Sequence, residues 1–308
     1  MSRLSYTRKG FLRRVAMSRD ALFLIVEGIV HDCHYYGKLC EGDAAIRASG
    51  YQVWPVQQIH GSHHHPSGGK LAVCGLYDYY RRQGRLRQQT PSGVRSIAFA
   101  LDADLDPIAG TTRRSPHVVY TTGYDVESDV FRQGDDAEAL ALALSLDPPE
   151  ARRLASLLGS WIDDLAQTWR EWLTLCCVAR LVGTSGGVSP SRPSWINKDR
   201  YGSVDPAKLG QARKLVEAQS TCSAPEFSRR SRRALSRAST YYSRGHGGHL
   251  ISGKLLVAYL ESLVRQEYPS GSVDLRDFAS MITKSYLASL DYDAAWASDI
   301  RDKLRALT

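Results

Sequence analysis

The chain has 308 residues, 43% of them hydrophobic and 23% charged, with a formal net charge of +8 and an isoelectric point near 9.2. That composition excludes a disordered chain and fits a globular protein of about two domains, at ~150 residues each. The positive balance favours polyanionic partners, nucleic acid ahead of acidic membranes. No run reaches the ~18 apolar residues of a membrane span, and the best short one, Ala21 to Val30, contains Glu27, which also spoils a signal peptide. The six cysteines (Cys33, Cys40, Cys74, Cys176, Cys177, Cys222) include no CxxC pair, so reduced thiols of a cytoplasmic protein are expected rather than disulfides or zinc.

After a basic N-terminal stretch (Arg3, Arg8, Lys9, Arg13, Arg14), the continuous apolar run Leu22 to Val26 predicts a buried parallel strand. A helix follows through Tyr35, Tyr36, Leu39 and Cys40. Tyr51 to Ile59 reads as a second strand, Gly61 to Gly69 as a loop, and Lys70 to Gln83 as a helix with Leu71, Cys74, Leu76 and Tyr77 inward. The third strand, Arg95 to Leu101, runs into Asp102-Ala103-Asp104-Leu105-Asp106, and the fourth, His117 to Thr121, ends near Gly123-Tyr124-Asp125-Val126-Glu127. Strands alternating with helices imply a mostly parallel sheet covered on both faces. At Asp147-Pro148-Pro149-Glu150 an N-capping Asp and a first-turn Pro announce a helix. Leu154, Leu157, Leu158, Trp161, Leu165, Trp169, Trp172 and Leu173 continue it as one long apolar stripe. Gly183 to Pro193 reads as a linker, and helical patterns recur over Leu255 to Arg265 and Ala294 to Leu307. The expected fold is α/β over 1–146, followed by a helical domain over 147–308.

In an open parallel sheet, ligands bind outside the carboxyl ends of the strands, so acids that close buried strands point into the crevice. Glu27 closes the first strand, and Asp102 with Asp104 closes the third; D-x-D on extended chain puts both carboxylates on one side. Three hard oxygen donors suit Mg²⁺, with Mn²⁺ as a substitute. Asp106 either joins this set or initiates the turn before Pro107. Asp125 and Glu127 either supply a second metal or cap the following segment. His60, His63, His64 and His65 beside Ser67-Gly68-Gly69 read as a solvated loop that alternatively binds metal or phosphate, mainly through backbone phosphate contacts at the helix start of Lys70. His31, Cys33, His34 and Cys40 have zinc-capable types without zinc spacing. Gly248 to Lys254 fits G-x-x-x-x-G-K, but Leu255 replaces the Ser/Thr of a nucleotide loop; Lys254 is read either as a surface lysine or as a contact to substrate phosphate. Arg229, Arg230, Arg232, Arg233, Arg237 and Arg244, interleaved with Tyr241 and Tyr242, form the densest basic stretch and a candidate phosphate-backbone contact; Tyr79-Tyr80-Arg81-Arg82 repeats it weakly.

Leu24-Ile25-Val26-Glu27-Gly28 with Leu101-Asp102-Ala103-Asp104 resembles the Toprim signature of topoisomerases, primases and overcoming-lysogenization-defect nucleases. The spacing of Tyr35, the Gly69-Lys70 helix start, Asp102 to Asp106 and Thr122 to Ser128 narrow the resemblance to the DUF4435 branch, over roughly the first 130 residues. The resemblance implies a Toprim fold, Mg²⁺ dependence, and an RNA- or DNA-cleaving effector partnered by an ABC-type ATPase in anti-phage defence. Relatives place an acid four residues after the glutamate, where this chain has His31, with Asp32 one step on. The expected activity is thus metal-dependent endonuclease. The alternatives are a topoisomerase-like reaction, which needs a nucleophilic tyrosine, and a catalytically silent scaffold that binds nucleic acid or the ATPase.

Overall fold

The computed structural model describes residues 5–60, 69–184, 188–190, 197, 203–269 and 273–308, and Thr7 caps its first helix. Its hydroxyl accepts the Gly10 N–H at 3.0 Å, so β1 (Tyr6–Thr7) passes directly into α1 (Arg8–Met17). Next come β2 (Leu22–Val26), α2 (His31–Gly42), α3 (Ala44–Ser49), β3 (Tyr51–Pro55), β4 (Ile59–His60), α4 (Gly69–Arg82), β5 (Arg87–Thr90), β6 (Gly93–Leu101), the single turn α5 (Asp106–Ala109) and β7 (Val118–Tyr120). The expected strand over Tyr51–Ile59 is divided: after Pro55 a 3-10 turn (Val56–Gln58) redirects the chain, and β4 pairs with β1 rather than with the main sheet.

The main sheet runs β3-β2-β6, with β5 and β7 sharing the outer edge of β6; every pairing is parallel except the β5–β6 hairpin. The architecture is therefore α/β, a mixed, mostly parallel sheet flanked by helices. β2 is buried along its whole length, which is why it reads as an unbroken apolar run. Its odd-numbered residues Phe23 and Ile25 join Ile97, Phe99 and Leu101 of β6 in one cluster with Phe11 and Val15 of α1 and Val73, Leu76, Tyr77 and Tyr80 of α4. Leu71, expected inward, is instead 69% exposed, because the buried stripe of α4 is centred on Val73, Leu76, Tyr77 and Tyr80.

All regular elements described after β7 are helical: α6 (Val126–Gln133), α7 (Asp136–Leu144), α8 (Pro148–Leu158), α9 (Trp161–Thr168), α10 (Arg170–Val182), α11 (Pro206–Gln219), α12 (Ala224–Ser243), α13 (Gly253–Glu267), α14 (Phe278–Ser289) and α15 (Ser298–Arg305), with 3-10 turns at Gly247–Leu250 and Ala295–Ala297. The apolar stripe that begins at Leu154 crosses three helices rather than one. Gly159, at φ 53° and ψ −130°, holds a backbone shape that side-chain-bearing residues avoid, and it ends α8. Most of the expected linker from Gly183 to Pro193 lies outside the described residues.

The chain divides into two compact units: residues 1–102, 113–121 and 290–308 form the first, and 103–112 with 122–289 the second. They interleave along the chain, whereas the sequence reading cuts it once, after residue 146. The C-terminal helix α15 belongs to the first unit and touches β7, α2 and α3; Arg305 there binds the buried Asp43 carboxylate at 2.5 Å. No helix among the described residues is long and apolar enough to cross a membrane.

Candidate functional site

Glu27 and Asp102 follow the carboxyl ends of β2 and β6, adjacent parallel strands, so the pairing register brings them to one edge of the first unit's sheet. Glu27 Oε1 accepts the Asp102 backbone N–H at 2.9 Å. From the start of α4, Lys70 Nζ donates to the Asp102 carbonyl at 2.5 Å. From the turn after β3, Gln57 Nε2 donates to the Glu27 carbonyl at 2.7 Å, while Gln57 Oε1 is buried with no hydrogen-bond partner. Four separate segments thus converge on the Glu27–Asp102 pair, as expected at the carboxyl edge of a parallel sheet. Neither Gln57 nor the Lys70 side chain stood out in the sequence; only the helix start at Gly69-Lys70 gave a signal.

Between His31 and Asp32, the structure turns Asp32 toward this edge: its Oδ2 accepts the Gly28 N–H at 2.7 Å. A Cβ on Gly28 would lie 2.5 Å from Asp32 Oδ1, which explains the glycine after Glu27. Asp32, expected on another side of the helix, reaches back because it sits in the first turn of α2, where a carboxylate faces the preceding loop.

Asp104, Asp106, Asp125, Glu127 and Lys254 belong to the second unit. Asp104 has φ 48°, the left-handed region, and its N–H donates to the Tyr124 carbonyl at 2.7 Å. The D-x-D pair therefore departs from the extended geometry expected of it at its second member. Asp106, expected as a metal ligand or turn former, is a buried structural carboxylate: Oδ1 binds Arg180 and accepts from Thr111 Oγ1 at 2.8 Å.

Asp125 caps the segment that follows it. It closes a capping box with Ser128 at the start of α6, accepting the Ser128 N–H at 2.8 Å, and both its oxygens lie 3.0 Å from the Gly253 N–H at the start of α13. Ser252 Oγ donates to it at 3.2 Å. One buried carboxylate serves two helix N-termini, and burial together with nearby Glu127 pushes its pKa up to about 7. Glu127 is half-buried in the first turn of α6, with the backbone of Gly253 packed against it; Lys254, next in the chain, is exposed. The G-x-x-x-x-G-K segment follows α12 and opens within the 3-10 turn Gly247–Leu250, not after the strand a nucleotide loop requires.

Two residues here were not found from sequence. Asp129 is fully buried and accepts the Thr122 N–H at 2.8 Å, the Thr122 hydroxyl at 2.6 Å and the Gly123 N–H, fixing the turn after β7. His249 sets Nδ1 2.7 Å from the Thr122 carbonyl, which makes Nδ1 the protonated nitrogen of the neutral ring. Burial and the nearby Arg132 guanidinium hold its pKa down to about 4.

On α12, the basic residues divide by task. Arg229 and Arg230 pair with Glu226 at 3.2 and 2.7 Å, Arg230 also binds the Leu181 carbonyl at 3.1 Å, and Arg237 binds the Ile108 carbonyl. Arg232, Arg233 and Arg244 are exposed. Of the histidine-rich loop, His63, His64 and His65 lie outside the described residues.

No family model matches this chain, and no curated protein matches it. Among the described residues no group of three or more His, Cys, Asp and Glu is gathered to hold a metal ion. Mg²⁺ asks for less: one or two carboxylates, with water and substrate phosphate completing its shell. Glu27 and Asp102 are hard oxygen donors of that kind, and the orphaned Gln57 Oε1 beside them is an acceptor suited to the water of a hydrated cation.

Proposed function

We propose that the chain is a metal-dependent endonuclease that cleaves RNA or DNA phosphodiester bonds, built on a Toprim-like domain. The observation that supports this reading is the meeting of Glu27 and Asp102 at the carboxyl ends of neighbouring parallel strands, tied by a 2.9 Å bond from Asp102 N–H to Glu27 Oε1. Glu27 and Asp102, with Asp104 two residues further along the chain, would hold Mg²⁺ or Mn²⁺, which when bound polarises a phosphate oxygen and lowers the pKa of water. Glu27, fixed by the Asp102 backbone, takes the proton of the attacking water. Lys254 and Glu127, both in the second unit, remain candidates for a phosphate contact and for a cation of their own; Asp106 and Asp125 are already engaged in structural bonds. Arg229, Arg232, Arg233 and Arg244 contact phosphates, while Arg230 and Arg237 anchor α12.

The fuller reading makes the protein a cytoplasmic effector of anti-phage defence, held inactive by a separate ABC-type ATPase and self-associating into a homodimer on release. Growth tests it. Overproduced alone, the wild type should slow cells more than Glu27→Gln does, and co-production of the ATPase should relieve the defect; equal growth at equal soluble expression would contradict it.

A second reading, a catalytically silent scaffold that binds nucleic acid or the ATPase, is favoured by the structural commitments of Asp106 and Asp125, which remove two acids from the candidate metal set. Mg²⁺-dependent cleavage by purified protein separates the two.

A further inference from the structure

The polar side of α4, within the first unit, begins at the Glu27–Asp102 pair and leads away from it. Lys70, Cys74, Asp78 and Arg81 recur at four- and three-residue steps and so share one face, about 16 Å long at 1.5 Å per residue. Lys70 is at the inner end, bonded to the Asp102 carbonyl, with its ammonium 5.9 Å from the centre of the Tyr120 ring. Midway, Arg113 forks onto Asp78 at 2.7 and 3.0 Å and lies 5.2 Å from the Tyr77 ring. At the outer end, the exposed Arg81 and Arg82 line a surface depression of about 520 Å³ with Asp78 and Gly75. Arg113 offsets Asp78 on this face, and Lys70, Arg81 and Arg82 are its other cations. Leu71, 69% exposed, sits on the same side and offers apolar contact beside the inner cation.

We propose that this face of α4 is the path along which a single nucleic-acid strand reaches the strand-end carboxylates, with Lys70 contacting the phosphate nearest the cleaved bond and Arg81 and Arg82 contacting phosphates further out. The proposal rests on the nucleic-acid reading above, but not on cleavage. A single line of cations on one helix fits one backbone, and an exposed leucine between them suits an unstacked base or sugar. Gly75 belongs to the same logic: a Cβ there would meet nothing within 4 Å, so the depression is open where a side chain would otherwise stand.

The test is anisotropy of a fluorescent 12-nucleotide single strand, RNA and DNA in parallel, titrated with full-length protein in EDTA across a salt series. Each lost phosphate contact lowers the slope of log affinity against log salt by about 0.7. Lys70→Met and Arg81→Ser should each flatten the slope by about that much, and Lys70→Arg should restore it. Gly75→Glu, which adds an acid to the depression, should weaken binding at least ~10-fold. Arg265→Gln, on α13, controls for loss of one charge elsewhere. Wild-type binding with slopes unchanged in Lys70→Met and Arg81→Ser would overturn the path and leave the nuclease reading standing. No binding by the wild type would overturn both.

Discussion

At the residue scale, the account depends on how tightly Glu27 is held. Its carboxylate is bonded to one backbone, its carbonyl to Gln57, and the next residue to Asp32. Gly28→Ala should therefore disturb the site without replacing an acid. With the new methyl 2.5 Å from Asp32 Oδ1, Asp32 must move, and cleavage should fall about 10-fold or more while the core stays folded. Unchanged cleavage would remove Asp32 and Gly28 from the argument. His249 gives a second check, read by pH. A histidine whose folded pKa is depressed to about 4 contributes stability that is fully present above ~6.5 and is lost as pH falls toward 4, because the unfolded chain then binds the extra proton. Proton NMR should show one ring titrating near 4, and His249→Gln should lose less stability than wild type over that window. A His249 titration near 6.5 would contradict the half-buried placement near Arg132.

At the scale of elements, Asp125 is the sharpest discriminator between structure and catalysis. Asp125→Ala removes the cap of α6 and the acceptor at the start of α13, so it should cost about 2 kcal/mol, at ~1 kcal/mol per cap, in thermal or urea unfolding. Its Mg²⁺ requirement for cleavage should match wild type. Intact stability with weakened metal dependence would return Asp125 to the ligand set. The same contrast shows what the sequence makes legible. β2 and β6 are buried on both faces, so their apolar runs declare them, and the acids that end them follow directly. β5 is an edge strand of Arg-Gln-Gln-Thr with no apolar alternation to read. Asp125 meets Gly253 across 128 residues of sequence, and no local pattern reports so distant a partner. Asp129 is hidden for a different reason: an acid in a helix's first turn is ordinary, and only the fold shows it closed over Thr122 and Gly123. On α12, charge density is visible in sequence, but which arginines are occupied is not. Neutralising Arg232 and Arg233 should flatten the salt dependence of nucleic-acid binding, while neutralising Arg237, bonded to the Ile108 carbonyl, should mainly lower stability. Equal salt effects at the two places would show that the anchored arginine also faces phosphate.

At the scale of the whole molecule, two compact units interleave along the chain: burial of Ile300 and Leu304 and the Arg305–Asp43 pair draw α15 into the first, whereas a single cut after residue 146 groups it with the preceding helices. A net charge of +8 gives the chain a mild general attraction for polyanions, and the proposed specificity for reaction comes from the strand-end acids rather than from that field. The central claim is that Glu27 and Asp102 make a divalent cation useful for breaking a phosphodiester bond. The measurement that tests it most directly is the cleavage rate of labelled RNA and DNA strands against Mg²⁺ concentration, for the wild type and Glu27→Gln side by side. The account predicts a wild-type rate that rises with Mg²⁺, vanishes in EDTA, and falls about 100-fold or more in Glu27→Gln at equal folding. A rate that is the same in both proteins, or that persists in EDTA, would contradict it.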